Sequence, residues 1–140
     1  MSHTNYDSQT KAAQQSNKKI LLVDDSSTTL LFEEMMLREH TQYELVLARD
    51  GEEAVEKAIA EQPNLILMDV VMPRMGGFDA CRKMRSHEAL RKVPIITVTS
   101  RGESHNIEQG FESGCNDYVT KPIDGAELVE IVNGYLMVQG

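Results

Sequence analysis

The chain has few of the features that would place it outside the ordinary globular class. Its 140 residues include only two cysteines, Cys81 and Cys115, with neither CxxC nor metal-ligand spacing. That argues against a disulfide framework or a thiolate metal site, and for buried, reduced thiols in a cytoplasmic protein. Basic residues are not in excess: 14 Lys and Arg stand against 22 Asp and Glu, a formal net charge of −8. Nucleic acid and anionic membrane surfaces demand a cationic footprint, so direct nucleic-acid binding is not expected. No apolar run approaches the roughly 20 residues that span a bilayer, and the first 19 residues lack the apolar stretch of a secretory signal. Membrane insertion is not expected either. Repeats and low-complexity tracts are missing. What remains suffices for one core: 41% of the residues are hydrophobic, and a single domain usually runs to roughly 100–150 residues.

Residues 1–17, MSHTNYDSQTKAAQQSN, are polar and carry no periodic stripe, so a disordered tail is expected there and an ordered domain over 18–140. From Lys18 onward, short apolar runs alternate with amphipathic stretches. The runs are Ile20–Val23, Tyr43–Ala48, Leu65–Met68, Pro94–Thr99 and the brief Tyr118-Val119. Between them, Ser26 to Arg38 reads as a helix capped by Ser26 or Ser27. Asp50-Gly-Glu-Glu53 has the layout of a capping box, followed by a stripe of Ala54, Val55, Ala58 and Ile59. Pro73 and Gly76-Gly77 mark a loop before a helix carrying Phe78, Cys81 and Met84. A weaker helix, with Ile107 and Phe111 four apart and Gly110 inside it, runs to about Ser113. The last helix starts at a second capping layout, Asp124 to Glu127, and presents Leu128, Ile131, Val132, Tyr135 and Leu136 on one side. Five strands alternating with five helices, the strands apolar throughout rather than every second residue, predict an α/β fold with a parallel sheet covered on both faces.

In an open parallel sheet the ligand site lies outside the carboxyl ends of the strands. Strand one ends in Asp24 and Asp25, strand three in Asp69, strand four in Thr99 and strand five near Lys121. Three carboxylates, a hydroxyl and an ammonium therefore converge on one rim. Carboxylates within about 4–6 Å of each other repel by roughly 4 kcal/mol per close pair at an effective dielectric near 20, so the cluster calls for a proton or a cation. An all-oxygen, shallow site suits Mg²⁺, with Mn²⁺ as a substitute. Lys121 offers a compact positive charge to phosphoryl oxygens and Thr99 a hydroxyl donor. Metal, ammonium and hydroxyl around a carboxylate describe phosphoryl transfer to that carboxylate, here Asp69.

The strings ILLVDDSS (20–27), LILMDVVMPRMGG (65–77), PIITVTS (94–100) and GCNDYVTKPID (114–124) resemble, in order and spacing, the receiver domain of bacterial two-component response regulators, of the chemotaxis-regulator type. The resemblance covers nearly everything beyond the tail. It implies a flavodoxin-like (βα)5 three-layer sandwich with strand order 2-1-3-4-5. It also implies roles: Asp69 as phosphoacceptor, Asp25 as direct metal ligand, Asp24 as the acid holding the metal through water, and the Val71 backbone carbonyl as a further ligand. Thr99 matches the switch hydroxyl, Tyr118 the aromatic that turns inward, and Lys121 the phosphate-contacting lysine before a typically cis proline, Pro122. Family members take their phosphoryl group from a histidine kinase or histidine phosphotransfer protein. They signal through the face of helix four, strand five and helix five to a downstream protein or a fused output domain. Val71 and Arg101 occupy the variable positions beside the phosphate.

Two other readings compete. An aspartyl-phosphate phosphatase of the haloacid-dehalogenase kind needs an acid two residues after its nucleophile; Val71 stands there, so an enzyme is not expected. A phosphate-independent interaction module of the same fold would have no use for the intact acid set. His3, His40, His87 and His105 are scattered and expected on the surface, Met68, Met72, Met75 and Met84 as core and loop filler. Arg82-Lys83-Met84-Arg85 is expected as a solvated helix face.

Overall fold

A computed structural model describes residues 18–100 and 104–137; the tail expected over 1–17 and Arg101 lie outside the described residues. Five strands, β1 (Lys19–Val23), β2 (Glu44–Ala48), β3 (Leu65–Asp69), β4 (Ile95–Ser100) and β5 (Asp117–Lys121), form one parallel sheet in the order β2-β1-β3-β4-β5. The helices are α1 (Ser27–His40), α2 (Gly51–Glu61), α3 (Gly77–Arg85), α4 (Ser104–Glu112) and α5 (Gly125–Leu136), with a short 3₁₀ turn at Glu88–Leu90. This is the flavodoxin-like arrangement that the apolar runs and the resemblance predict. The three central strands are buried almost throughout. Alternate side chains sort to opposite faces, as the two-residue pleat requires. Leu21, Val23, Ile66, Met68 and Ile95 join a core with α2 and α3, while Ile20, Leu22, Leu65, Leu67 and Ile96 join one with α1 and α5. No helix among the described residues is long and apolar enough to cross a membrane.

Local chemistry sets the helix starts. The side chains of Ser26, Asp50 and Asp124 accept hydrogen bonds from the backbone N–H groups of Thr29, Glu53 and Glu127 at 3.2, 2.8 and 3.1 Å, meeting the donors left unpaired in a first helical turn. In the capping layout at Asp50 the returning arm differs: Glu53 Oε1 accepts from the Arg49 N–H at 2.7 Å.

Three expectations need correction. Ile59 is 41% exposed and Phe111 49% exposed; each lies at the margin of its predicted stripe. In α4 the inward position is Gly110, where an added Cβ would sit 3.2 Å from the Phe78 ring, which already fills that space. Arg85 is not part of a solvated face. Its guanidinium donates to the carbonyls of Leu90 and Val93, both at 2.7 Å, to that of Gly114 at 3.0 and 2.8 Å, and to Asn116 Oδ1 at 2.8 Å. It bolts the end of α3 to the 3₁₀ turn and to the loop before β5. Met84 is fully buried, and Cys81 and Cys115 are free, buried thiols with sulfurs 3.3 Å apart. His40 is exposed and His87 half-buried; His3 and the side chain of His105 lie outside the described residues.

Leu67 sits fully buried in the central strand β3. Truncation to alanine should cost about 2–5 kcal/mol in urea unfolding, the range for leucines emptied from tight cores; a loss below about 1 kcal/mol would contradict this packing.

Candidate functional site

Because all five strands run the same way, their carboxyl ends share one edge, and the residues that follow the last apolar position of each meet there. Asp24 leaves β1 with its N–H donating to the Ala48 carbonyl at 3.1 Å, while its Oδ1 accepts from the Ser26 N–H at 2.9 Å. That local turn starts α1 and fixes one carboxylate oxygen. Asp24 is fully buried, Asp69 is 6% exposed, and Asp25 is exposed. One carboxylate oxygen from each of Asp24, Asp25 and Asp69 lies within 4.8 Å of the others. From the end of β5, Lys121 brings its Nζ to 3.4 Å from Asp69 Oδ1 and 3.6 Å from Asp24 Oδ2. The Lys121–Pro122 peptide is cis. Thr99 is buried at the end of β4, its Oγ1 without a hydrogen-bond partner among the described residues.

The loop after β3 is held from both sides. Val70 donates its N–H to the Val98 carbonyl at 3.2 Å, and Gly77 donates to the Val70 carbonyl at 2.8 Å. A side chain at Gly77 would place its Cβ 2.4 Å from the Asp69 carbonyl oxygen, so only glycine permits this approach. Arg74, in the left-handed region at φ 67°, pairs with the Asp50 carboxylate and ties the loop to the start of α2. Val71 turns its side chain to solvent, 74% exposed.

Electrostatics follow from this crowding. Burial, and then the charge of Asp24, raise the Asp69 pKa to about 6 despite Lys121. For Lys121, burial pulls the other way, but Asp69 and Asp24 outweigh it and hold the ammonium above its usual value. A set of three carboxylates and one ammonium is short of positive charge, and hard oxygen donors so placed fit a small divalent cation.

Asp24, Asp25, Asp69 and Lys121 thus come together as the sequence predicts, with Thr99 on the same edge. Tyr118 is set further back. It pairs with Thr97, one pleat repeat before Thr99, and is half-buried beside a groove shared with Glu127 and Ile131 of α5. One residue escaped the sequence reading. Glu33 on α1 is 1% exposed, its Oε1 has no hydrogen-bond partner among the described residues, and its pKa is pushed up to about 9 by burial and then by Asp24. The signal was available: Leu30, Glu33 and Leu37 occupy successive inward turns of one helix, and the middle one is an acid.

Comparison with known proteins agrees with this geometry. Residues 20–133 match the family model described as the response regulator receiver domain. The response regulator PleD of Caulobacter vibrioides is 41% identical over 86 residues, 61% of this chain and 19% of PleD. Three transcriptional regulators match over 37%, 39% and 41% of their length, so the chain spans less than half of these relatives. Among solved structures, the receiver domain of the Pseudomonas aeruginosa sensor histidine kinase PA1611, which holds magnesium in its active-site cleft, superposes with a TM-score of 0.79 at 36% identity, covering 86% of this chain and 98% of that one. The receiver domain of Saccharomyces cerevisiae Ssk1, solved with the histidine phosphotransfer protein Ypd1, superposes at 0.80 with 26% identity, over 86% and 89% of the two chains.

The raised Asp69 pKa has a thermodynamic consequence. Folded, the carboxyl keeps its proton up to about pH 6, whereas an unfolded aspartate loses it near 3.8, so its contribution to stability falls as pH rises through that window. In the absence of divalent cations Asp69→Asn should melt higher than the parent at pH 7, and the gap should close between about pH 6 and 4. Equal melting temperatures at both ends would refute the crowding.

Proposed function

The chain belongs to the response regulator receiver domain family, and we propose that it is a phosphorylation-controlled switch in a two-component pathway, with Asp69 as phosphoacceptor. The approach of Lys121 Nζ to 3.4 Å from Asp69 Oδ1, inside the trio of carboxylates, carries this reading. An Asp69 oxygen attacks the phosphorus of a phosphohistidine on a histidine kinase or histidine phosphotransfer protein; the O–P bond forms, the P–N bond breaks, and the imidazole leaves and takes a proton from water. Asp24, Asp25, Asp69 and the Val71 backbone carbonyl would hold Mg²⁺, or Mn²⁺ in its place. When bound, the ion supplies neutralisation of phosphoryl charge. Lys121 holds a phosphoryl oxygen by charge. Thr99 Oγ1, buried without a partner among the described residues, donates to another, and Tyr118 turns toward the space Thr99 leaves. The face of α4, β5 and α5 is thereby re-presented to a downstream protein or a fused output domain. The Ssk1–Ypd1 complex supports the phosphotransfer partner.

The protein in this reading is a cytoplasmic phosphoacceptor and not a turnover enzyme, its receiver domain occupying 18–140. A phosphatase of the aspartyl-phosphate type would need an acid where the hydrocarbon side chain of Val71 stands. A phosphate-independent module would leave an expensive cluster of like charges without a task.

Acetyl phosphate with Mg²⁺ should raise the intact mass by roughly 80 Da, one phosphoryl group. Asp69→Asn or excess EDTA should abolish the rise. Release of many phosphates per protein would favour the phosphatase, and an Asp69→Asn variant that equals the parent in partner binding would favour the module.

A further inference from the structure

Cys81 and Cys115 are the chain's only cysteines and take no part in the chemistry described so far. They stand 34 residues apart in sequence, yet the Cys115 thiol donates to the Cys81 sulfur at 3.3 Å. Both belong to the core that α2 and α3 build on the sheet, Cys81 within α3 and Cys115 in the turn between α4 and β5. The two backbones that carry them are fastened to each other beside the pair. Arg82 Nη1 donates to Ser113 Oγ at 2.6 Å, and Arg85 Nη2 donates to the Gly114 carbonyl and to Asn116 Oδ1, both at 2.8 Å. The turn is held to its neighbours as well: the Cys115 N–H donates to the Gly110 carbonyl at 2.9 Å and the Asn116 N–H to the Ile95 carbonyl at 2.8 Å. Residues on either side of Cys115 are therefore pinned to residues just after Cys81. Filling this space asks only for apolar volume; it gives no reason for two sulfurs to meet.

We propose that Cys81 and Cys115 are an oxidisable dithiol, a modification site that a peroxide converts to a disulfide joining α3 to the turn before β5. The conversion balances. One sulfur, as its thiolate, attacks a peroxide oxygen; the S–O bond forms, the O–O bond breaks, and the displaced oxygen takes a proton and leaves as water. The second sulfur then attacks that sulfenic acid; the S–S bond forms, the S–O bond breaks, and a second water leaves. Two thiols give up two electrons and two protons, and hydrogen peroxide becomes two waters. From contact, the sulfurs close by only about 1.3 Å to reach bonding distance. Their shared hydrogen bond lowers the Cys81 thiol and raises that of Cys115, and the guanidinium groups of Arg85 and Arg82 favour a thiolate on either. Cys115 is 6% exposed, and it lies before the amino end of β5, whereas the acid rim lies at the carboxyl end. A small peroxide thus approaches without entering the rim. A neighbour already in contact captures the sulfenic acid before further oxygen adds, which keeps the change reversible by thiols. The crosslink encloses β4 and α4, so it restrains the unfolded chain across that loop and raises the melting temperature.

The test treats the folded full chain with hydrogen peroxide and follows intact mass, free thiols and melting. The parent should lose about 2 Da, two hydrogen atoms, and show no free thiol when unfolded afterwards. Digestion without reductant should yield the peptides of Cys81 and Cys115 joined, and dithiothreitol should restore both thiols. The oxidised parent should melt at least about 5 °C above the reduced one. Cys115→Ala should lose no mass and gain no melting temperature, with Cys81→Ala as the second variant should the first fold poorly. A parent that keeps both thiols, or that gains about 16 or 32 Da per sulfur instead, would overturn the proposal. So would a disulfide that joins two chains or forms only in urea. An internal disulfide that leaves melting unchanged would overturn the restraint on the loop.

Discussion

Like charge forced together is the constraint on which the carboxyl edge of this sheet depends. One oxygen from each of three carboxylates lies within 4.8 Å of the other two, with the Lys121 ammonium beside Asp24 and Asp69. At an effective dielectric near 20, each close pair costs roughly 4 kcal/mol, a large fraction of the stability of a domain this size. Such a concentration of cost survives only where the rest of the fold supplies the surplus, and functional sites are where folds tolerate it.

The surplus comes from the two cores. β1, β3 and β4 are sealed on both faces, so the backbone cannot relax to spread the acids apart. The acids are also held individually. Asp24 is tied into the turn that begins α1, the carbonyl of Asp69 is backed against Gly77, and Arg74 anchors the following loop to the start of α2. Rigid supports of this kind let a cation or a proton relieve repulsion without rearranging the site. In the proposed reading, charge arriving at Asp69 would change what Lys121 and Thr99 face, and both sit at the ends of strands that carry the adjoining helices.

Much of this was legible in the chain. Continuous apolar runs marked buried parallel strands, and charged residues at their ends marked the rim, because a charge closing an apolar strand needs a reason to be there. Cap residues were readable too: Asp50 and Asp124 accept from backbone N–H groups of the helices they open, and of the two candidates Ser26 and Ser27 it is Ser26 that caps α1. What escaped depended on three-dimensional neighbours. Gly110 rather than Phe111 faces the core because Phe78, distant in sequence, already fills the space. Arg85 looked like one of a solvated trio until the loop before β5 supplied carbonyls for it. Glu33 sits inside a helical stripe defined by its apolar members Leu30 and Leu37, and an acid in such a stripe is informative only once burial is known.

A solution measurement of where a divalent ion resides bears most directly on the claim that distant acids form one cation site. Substoichiometric Mn²⁺ added to the ¹⁵N-labelled protein should broaden amide signals first at residues 24–26 and 69–71, next at 121, and Mg²⁺ in excess should reverse the effect. Broadening centred on another acidic patch, or spread evenly over the surface, would contradict it.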